Sequence, residues 1–588
     1  MADARSGISS PESPWRGLPT VLLALVFVRA LLVLSCADVF FYGEELGKGG
    51  VAKAIVDGPA IHYHQLAYAY HEGGGFVVCH LRALAFLVVG ESLLAAKLVA
   101  IATTSLVLIA GFLLTAEAFG RRAALIFGAL FVLCPDAWLR FSLVSIGTHF
   151  EALVFQGAIL VTTFRILRAQ GDTRRDWFYL GLASGFGLYF SLVALGAIGA
   201  AGLMLLFGLR RKLFGRGLAF ATLGAVIGAI PLFWMLRLVG LDAVRVRGFG
   251  LVERQHPGPG TAILDLLAPL RADGRIDDWI QLIVVGSCAL ASSFLVRDRR
   301  ARLAALGILG YLAVYMAIYL GSGLAVSMNG IWLIWWRMCP VWFFGIVLAA
   351  AAIDALLDRR RAIGVPALAL LVAAGVVDVA RLVAAGRPDR IAQNAVYIAN
   401  AKGYDFTEYF DQLVHHLEGT DEDKIQALLG LDDPTHLLPA SIAHTVFEER
   451  DLPLESVIAI SRSAFGARFD QAVLGLGRYL HPRPGFDVPA AFARLRDVPP
   501  ESRAGFSRAL GRTGMGQRYR RDRLVEQIEL PVPTEWRADF LHGFGWRVWR
   551  AYMLDPAGGD AFVESRPAQE RARIERGLAF EREAWMLR

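Results

Sequence analysis

Apolar blocks of about 20 residues follow one another between Leu18 and Val383, and they stop there. A helix that crosses a bilayer needs about 20 apolar residues, because the hydrocarbon core is ~30 Å thick and a helix rises ~1.5 Å per residue. This pattern predicts an all-α protein: a polytopic membrane helix bundle over residues 1–386, followed by a soluble helical domain over 387–588. With 55% hydrophobic residues, 19% charged residues and a mean hydropathy of +0.47, a wholly soluble, disordered or fibrous chain is excluded.

The blocks lie at about 18–39, 95–114, 123–135, 148–168, 178–209, 217–239, 280–296, 303–325, 338–357 and 364–383. The stretch 178–209 is too long for one span and contains Gly181, Gly185, Gly187, Gly196 and Gly199, so it is split into two helices. That makes about eleven spans. The shorter stretch 76–90 carries His80 and Arg82 and is read as a juxtamembrane or re-entrant helix near the outer surface. The alternative, a true span, would reverse every later loop.

With 76–90 left out, Arg121–Arg122, Arg165/Arg168/Arg174/Arg175, Arg210–Arg211–Lys212/Arg216, Arg297/Arg299/Arg300/Arg302 and Arg359–Arg360–Arg361 share one side. Short basic loops stay in the cytoplasm, which puts the N-terminus inside and the C-terminal domain outside. Trp177, Trp279 and the Trp332/Trp335/Trp336 group stand at span ends, where interfacial aromatics are expected. The net charge of +7 is therefore topogenic, and no nucleic-acid partner is expected. The five cysteines show no zinc spacing and no disulfide framework.

The polar stretch Tyr42–Gly75 holds Glu44, Glu45, Asp57, His62, His64, His71 and Glu72. A carboxylate pair at the membrane exit of the first helix is partly desolvated and close to headgroups, which suits a general base acting on an acceptor hydroxyl. The alternative is a solvated loop whose charges mark the membrane boundary. His62, His64, His71 and Glu72 have the chemistry of a metal site without its tight spacing, so no metal is assigned and a divalent cation stays an alternative. His149 and Glu151 stand at the outer start of the 148–168 block, either lining a cavity or simply sitting at a helix entry. Arg29 lies mid-span, where an unpaired arginine costs ~2.5–3.5 kcal/mol or more, and must find a partner inside the bundle.

Phe41-Tyr42-Gly43-Glu44-Glu45, the helix from Ala52 to Asp57-Gly58, the His71 turn and Gly90-Glu91-Ser92 come in order. Phe119-Gly120-Arg121-Arg122-Ala123-Ala124, Pro135, Gly181-Leu182-Ala183-Ser184-Gly185 and Arg337-Met338-Cys339-Pro340 follow. This series resembles the GT-C membrane glycosyltransferases over about residues 18–357, in particular the bacterial protein-mannosyltransferase-like and aminoarabinose-transferase-like branch. That branch often has Asp where Glu44 stands, and His-Pro-Pro where this chain has His71-Glu72-Gly73.

The resemblance implies a bacterial inner-membrane enzyme without a cofactor. It implies inverting transfer of a sugar from a polyprenyl-phosphate-linked donor to a lipid, glycan or protein acceptor on the outer face. Glu44 or Glu45 would be the base, and a departing phosphate wants guanidinium donors. Arg337 is the first candidate, then Arg82 and Arg140, with His71, Glu72, His149 and Glu151 as further substrate-binding candidates. The same series is compatible with a polyprenyl-linked glycan ligase or polymerase, or with a non-catalytic scaffold or transporter built on a degenerate transferase fold.

In the tail, Leu476-Gly477, Leu510-Gly511, Phe544-Gly545 and Leu578-Ala579 recur every 34 residues. Gly475, Ala509, Gly543 and Gly577 stand two positions before the second residue of each pair, and Ala472, Phe506, Phe540 and Ile574 stand five before it. That period predicts a helix–turn–helix array of the tetratricopeptide type, without its consensus, and such arrays bind protein partners.

Overall fold

The computed structural model describes residues 15–36, 43–57, 73–210, 213, 215–239, 276–321, 338–385, 419–430, 438–447, 452–480, 488–513, 524–525, 528–552 and 556–585. Every regular element among them is a helix. The chain forms two compact units. One comprises Met1–Phe40, Tyr63–Val78 and Lys97–Pro388; the other comprises Phe41–His62, Cys79–Ala96 and Asp389–Arg588.

Among the described residues, five helices are long and apolar enough to cross a membrane: Leu18–Cys36, Leu93–Phe119, Arg299–Gly321, Cys339–Arg359 and Arg361–Ala385. A bent pair, Arg216–Gly228 and Ile230–Arg237, makes a sixth if it is one span broken by 48°. The protein is a multi-pass membrane protein. By length alone, this is fewer than the spans expected from the apolar blocks. Several blocks fold as helices of 12 to 17 residues: Arg121–Val132, Leu153–Arg168, Arg174–Phe190 and Ala194–Leu209. The last two are the predicted halves of the glycine-rich block, separated by a turn at 191–193.

Two helices of the first unit meet through small residues. A Cβ on Gly181 or Gly185 would lie 1.8 Å or 2.2 Å from the carbonyl oxygens of Ala221 and Ala225. In return, a Cβ on Gly224 or Gly228 would lie 2.1 Å from Phe178 O or 2.4 Å from Leu182 O. Lipid tails are as apolar as leucine, so such helices associate by close backbone contact rather than by hydrophobic burial. Trp177, in the first turn of helix Arg174–Phe190, is 2% exposed, and its Nε1–H donates to the Gly171 carbonyl at 3.0 Å. The predicted basic clusters come together at one end of the helices. Arg165 and Arg168 grip Glu117 at 2.9 Å and 2.8 Å, while Arg122 pairs with Asp354 and, at 2.7 Å, with Asp358.

Arg29 does find its partners, and they explain its presence. Helix Arg121–Val132 stops short of Pro135, which has no N–H to offer the carbonyl of Phe131. The fully buried Arg29 fills the gap. Its Nη1 donates to Val132 O at 2.9 Å, Nη2 to Phe131 O at 3.3 Å, and Nε to Ser142 Oγ at 2.6 Å.

In the second unit the tail helices pack through their small residues. A Cβ on Gly543 would lie 1.9 Å from Arg508 O, and one on Gly577 1.7 Å from His542 O. Gly511 and Gly545 face the following helix, where a Cβ on either would lie 2.1 Å from Phe540 O or 2.4 Å from Ile574 O. The first small residue of each copy thus meets the helix before it and the second meets the helix after it. The large residues between them join one buried core. Gly475 abuts Ala440, beside Ser441-Ile442-Ala443, an earlier copy of the same small–large–small pattern. Thr420 and Asp423 form a reciprocal capping box at the start of helix Asp421–Leu429.

Candidate active site

The stretch after the first apolar helix is not an open loop where it is described: Gly43–Asp57 is a helix. Ala52 packs with Ala83, Phe86 and Ala95, which seats this helix against the segment 83–95. Gly90 takes a φ of 82°, a value that favours glycine, and so turns the chain between helices Gly73–Val89 and Leu93–Phe119. Ser92 Oγ accepts the Ala95 N–H at 3.2 Å and caps the second of these. Glu91, between them, pairs with Lys53 at 2.8 Å.

This packing buries a charged cluster. Glu45 and Lys48 are 0% exposed and Arg82 is 1% exposed. Arg82 Nη2 lies 3.7 Å from Glu45 Oε1, and Nη1 of the same guanidinium donates to the Glu45 carbonyl oxygen. Glu44 lies at the second position of the helix, one residue before Glu45.

A second polar assembly surrounds the irregular segment 142–152 in the first unit. Non-helical backbone at membrane depth must have its N–H and C=O groups satisfied from within the protein. Thr104 donates to Ser142 O at 2.6 Å, and the buried Lys97 donates to Leu143 O at 2.8 Å. The Glu151 carboxylate accepts the N–H groups of Ile146, Gly147 and Thr148 at 2.8, 3.0 and 3.3 Å. Gly74 sits directly on Gly147: a Cβ on either would lie 1.9–2.1 Å from the other's carbonyl oxygen. We predict that Gly74→Ala lowers stability by at least about 1–3 kcal/mol, the usual cost of overpacking. A thermal melt in detergent indistinguishable from wild type would disprove this contact.

Glu45 and Arg82 share one cluster. Glu151 is turned onto its own loop rather than into a cavity, and His149 is partly buried beside it. Arg140 is held by Asp136, with Nε to Oδ1 at 2.6 Å and Nη2 to Oδ2 at 3.1 Å. His71, Glu72, Arg337, His62 and His64 lie outside the described residues. Among the described residues, no group of three or more histidine, cysteine or acidic side chains is placed to hold a metal. Cys79, Cys134, Cys288 and Cys339 are buried thiols that form no disulfide among the described residues.

Sequence reasoning passed over Lys48, Lys97 and the buried pair Gln281–Asp378, joined at 2.7 Å. Asp378 also stands within electrostatic reach of Cys134, whose sulfur lies 3.5 Å from Arg29 Nη2. Lys97 and Asp378 are single charged residues inside apolar runs, and that was the signal available.

No protein-family model matches the chain, and no curated protein matches it. Among solved structures, the chain is similar to ArnT from Cupriavidus metallidurans bound to undecaprenyl phosphate. The identity is 14% and the TM-score 0.45, over 93% of this chain and 90% of that one. The apo structure of the same protein gives 16% and 0.42, over 79% and 77%. The oligosaccharyltransferase of Archaeoglobus fulgidus in its apo form gives 16% and 0.39, over 69% and 59%.

Proposed function

We propose that this chain is a membrane glycosyltransferase that moves a sugar from a polyprenyl-phosphate carrier to an acceptor hydroxyl on the outer face of the bacterial inner membrane. The observation that carries the proposal is the burial of Glu45, of the Phe41-Tyr42-Gly43-Glu44-Glu45 motif, and Lys48, both on helix Gly43–Asp57, with Arg82 of helix Gly73–Val89 paired to Glu45. A carboxylate and cations held out of water beside a second glutamate of the same motif suit a reaction that removes a proton and releases a phosphate.

Glu45 is engaged by Arg82, so in this reading Glu44 is the base. It takes the acceptor's proton as the acceptor oxygen forms its bond to the anomeric carbon. The bond from that carbon to the phosphate oxygen breaks with inversion, and the lipid phosphate leaves with the bonding electrons. Arg337 is the candidate to receive its charge. The N-terminus would be cytoplasmic and the tail extracytoplasmic, where the helical array would hold the acceptor or a partner protein. One observation favours a non-catalytic scaffold instead: Glu45 and Arg82 bind each other.

The test uses purified full-length protein in polyprenyl lipid with a panel of radiolabelled polyprenyl-phosphate sugars. Acceptor-dependent release of polyprenyl phosphate is expected with one donor class. Absence of turnover across the panel would favour the scaffold.

A further inference from the structure

The tail carries a row of basic side chains set by its own period. Arg508, His542 and Arg576 stand 34 residues apart, one on each of the helices Pro500–Thr513, Thr534–Tyr552 and Ala568–Trp585. These helices touch at those very positions, because Gly543 rests on the Arg508 backbone and Gly577 on the His542 backbone. The three residues therefore follow one another across the stack. Arg573 stands three positions before Arg576, on the same helix face.

The charges in this row are poorly balanced. His542 is half-buried and feels Arg508, Arg573 and Arg576 against the carboxylate of Asp539. Burial first, and then these arginines, hold its pKa below the usual histidine value. Asp539 is 3.9 Å from Arg508, a loose pair. Arg576 Nε contacts only a carbonyl of its own helix, Ala572 O at 3.3 Å. Neither Arg573 nor Arg576 has a carboxylate partner among the described residues.

Three guanidinium groups around one imidazole, with one carboxylate, repel one another unless an anion joins them. A single carboxylate would neutralise only one of the excess charges. A phosphate monoester or diphosphate brings about two negative charges and several acceptor oxygens that match arginine forks.

We propose that the row Arg508–His542–Arg576, with Arg573, is a binding site for a phosphate monoester or diphosphate, carried either by a soluble molecule or by a lipid headgroup. Arg508 and Arg576 grip the group from two sides, and His542 donates an N–H between them. The site is independent of the transferase reading, since none of its residues takes part in that chemistry.

Isothermal titration of the full chain in neutral detergent tests this, with inorganic pyrophosphate as the soluble probe and mixed micelles containing phosphatidic acid as the lipid probe. Wild type is expected to bind one or both, and the one it prefers identifies the source. The double variant Arg508→Gln/Arg576→Gln is expected to bind about 100-fold more weakly, as loss of two charge-assisted hydrogen bonds requires. His542→Asn, which keeps a donor, is expected to lose far less. Arg566→Gln, an arginine stacked on Phe562 outside the row, is expected to bind like wild type. The proposal is overturned if wild type binds neither probe, if Arg566→Gln weakens binding as much as the double variant, or if polyglutamate binds more tightly than either phosphate.

Discussion

Glu44→Gln is expected to lower turnover by about 10²–10⁴-fold, the contribution of a positioned general base, and to leave the melting of the protein unchanged. The neighbouring substitution Glu45→Gln should behave differently. It removes the charge that balances Arg82, and both side chains are almost fully buried. Breaking a buried ion pair from one side costs about 3–5 kcal/mol, because the remaining charge is left unpaired. The 3.7 Å separation places Glu45 toward the lower end of that range. Activity lost without destabilisation therefore marks the base, and activity lost together with the fold marks the support. Turnover with the preferred donor, measured beside fluorescence-detected size exclusion after heating, separates the two. Full turnover by Glu44→Gln would remove Glu44 from the mechanism.

The second large effect is expected at Arg29. Arg29→Met keeps the length of the side chain but leaves Phe131 O, Val132 O and Ser142 Oγ without their donor. These groups lie where no water is available to replace it, so a loss of about 3–5 kcal/mol is expected. Arg29→Lys should recover part of the loss, since one ammonium cannot reach all three acceptors in the fork geometry of a guanidinium. The measurement is again thermal stability in detergent. An Arg29→Met protein that melts with the wild type would show that the carbonyls freed before Pro135 are satisfied in another way.

How much of this was legible in the sequence depended on whether the signal was local. The break inside 178–209 was legible, because a glycine-rich apolar run longer than a bilayer has few other options. The tail's close contacts were legible because the same small–large–small pattern recurs every 34 residues. The need of Arg29 for a partner was legible from the cost of burying it, but the partner was not, since it is main chain more than a hundred residues away. The pairing of Glu45 with Arg82 spans 37 residues with no periodic signal to announce it. The resemblance marks only the part of helix Gly43–Asp57 from Ala52 on, because charges and glycines before it mask a short apolar face, Ala52 with Ile55 and Val56. Lys97 and Asp378 were hidden by averaging: one charge barely changes the hydropathy of a twenty-residue window.

The distance between Arg29 and its acceptors also has a consequence for how the protein is made. Ser142 lies 113 residues further along the chain. At a synthesis rate of about 5–20 residues per second, the first helix waits some 6–20 s for the segment that completes it. During that interval an unsatisfied arginine must be kept out of bulk lipid, so the nascent first helix has reason to linger at the insertion machinery until the turn at Pro135 has emerged.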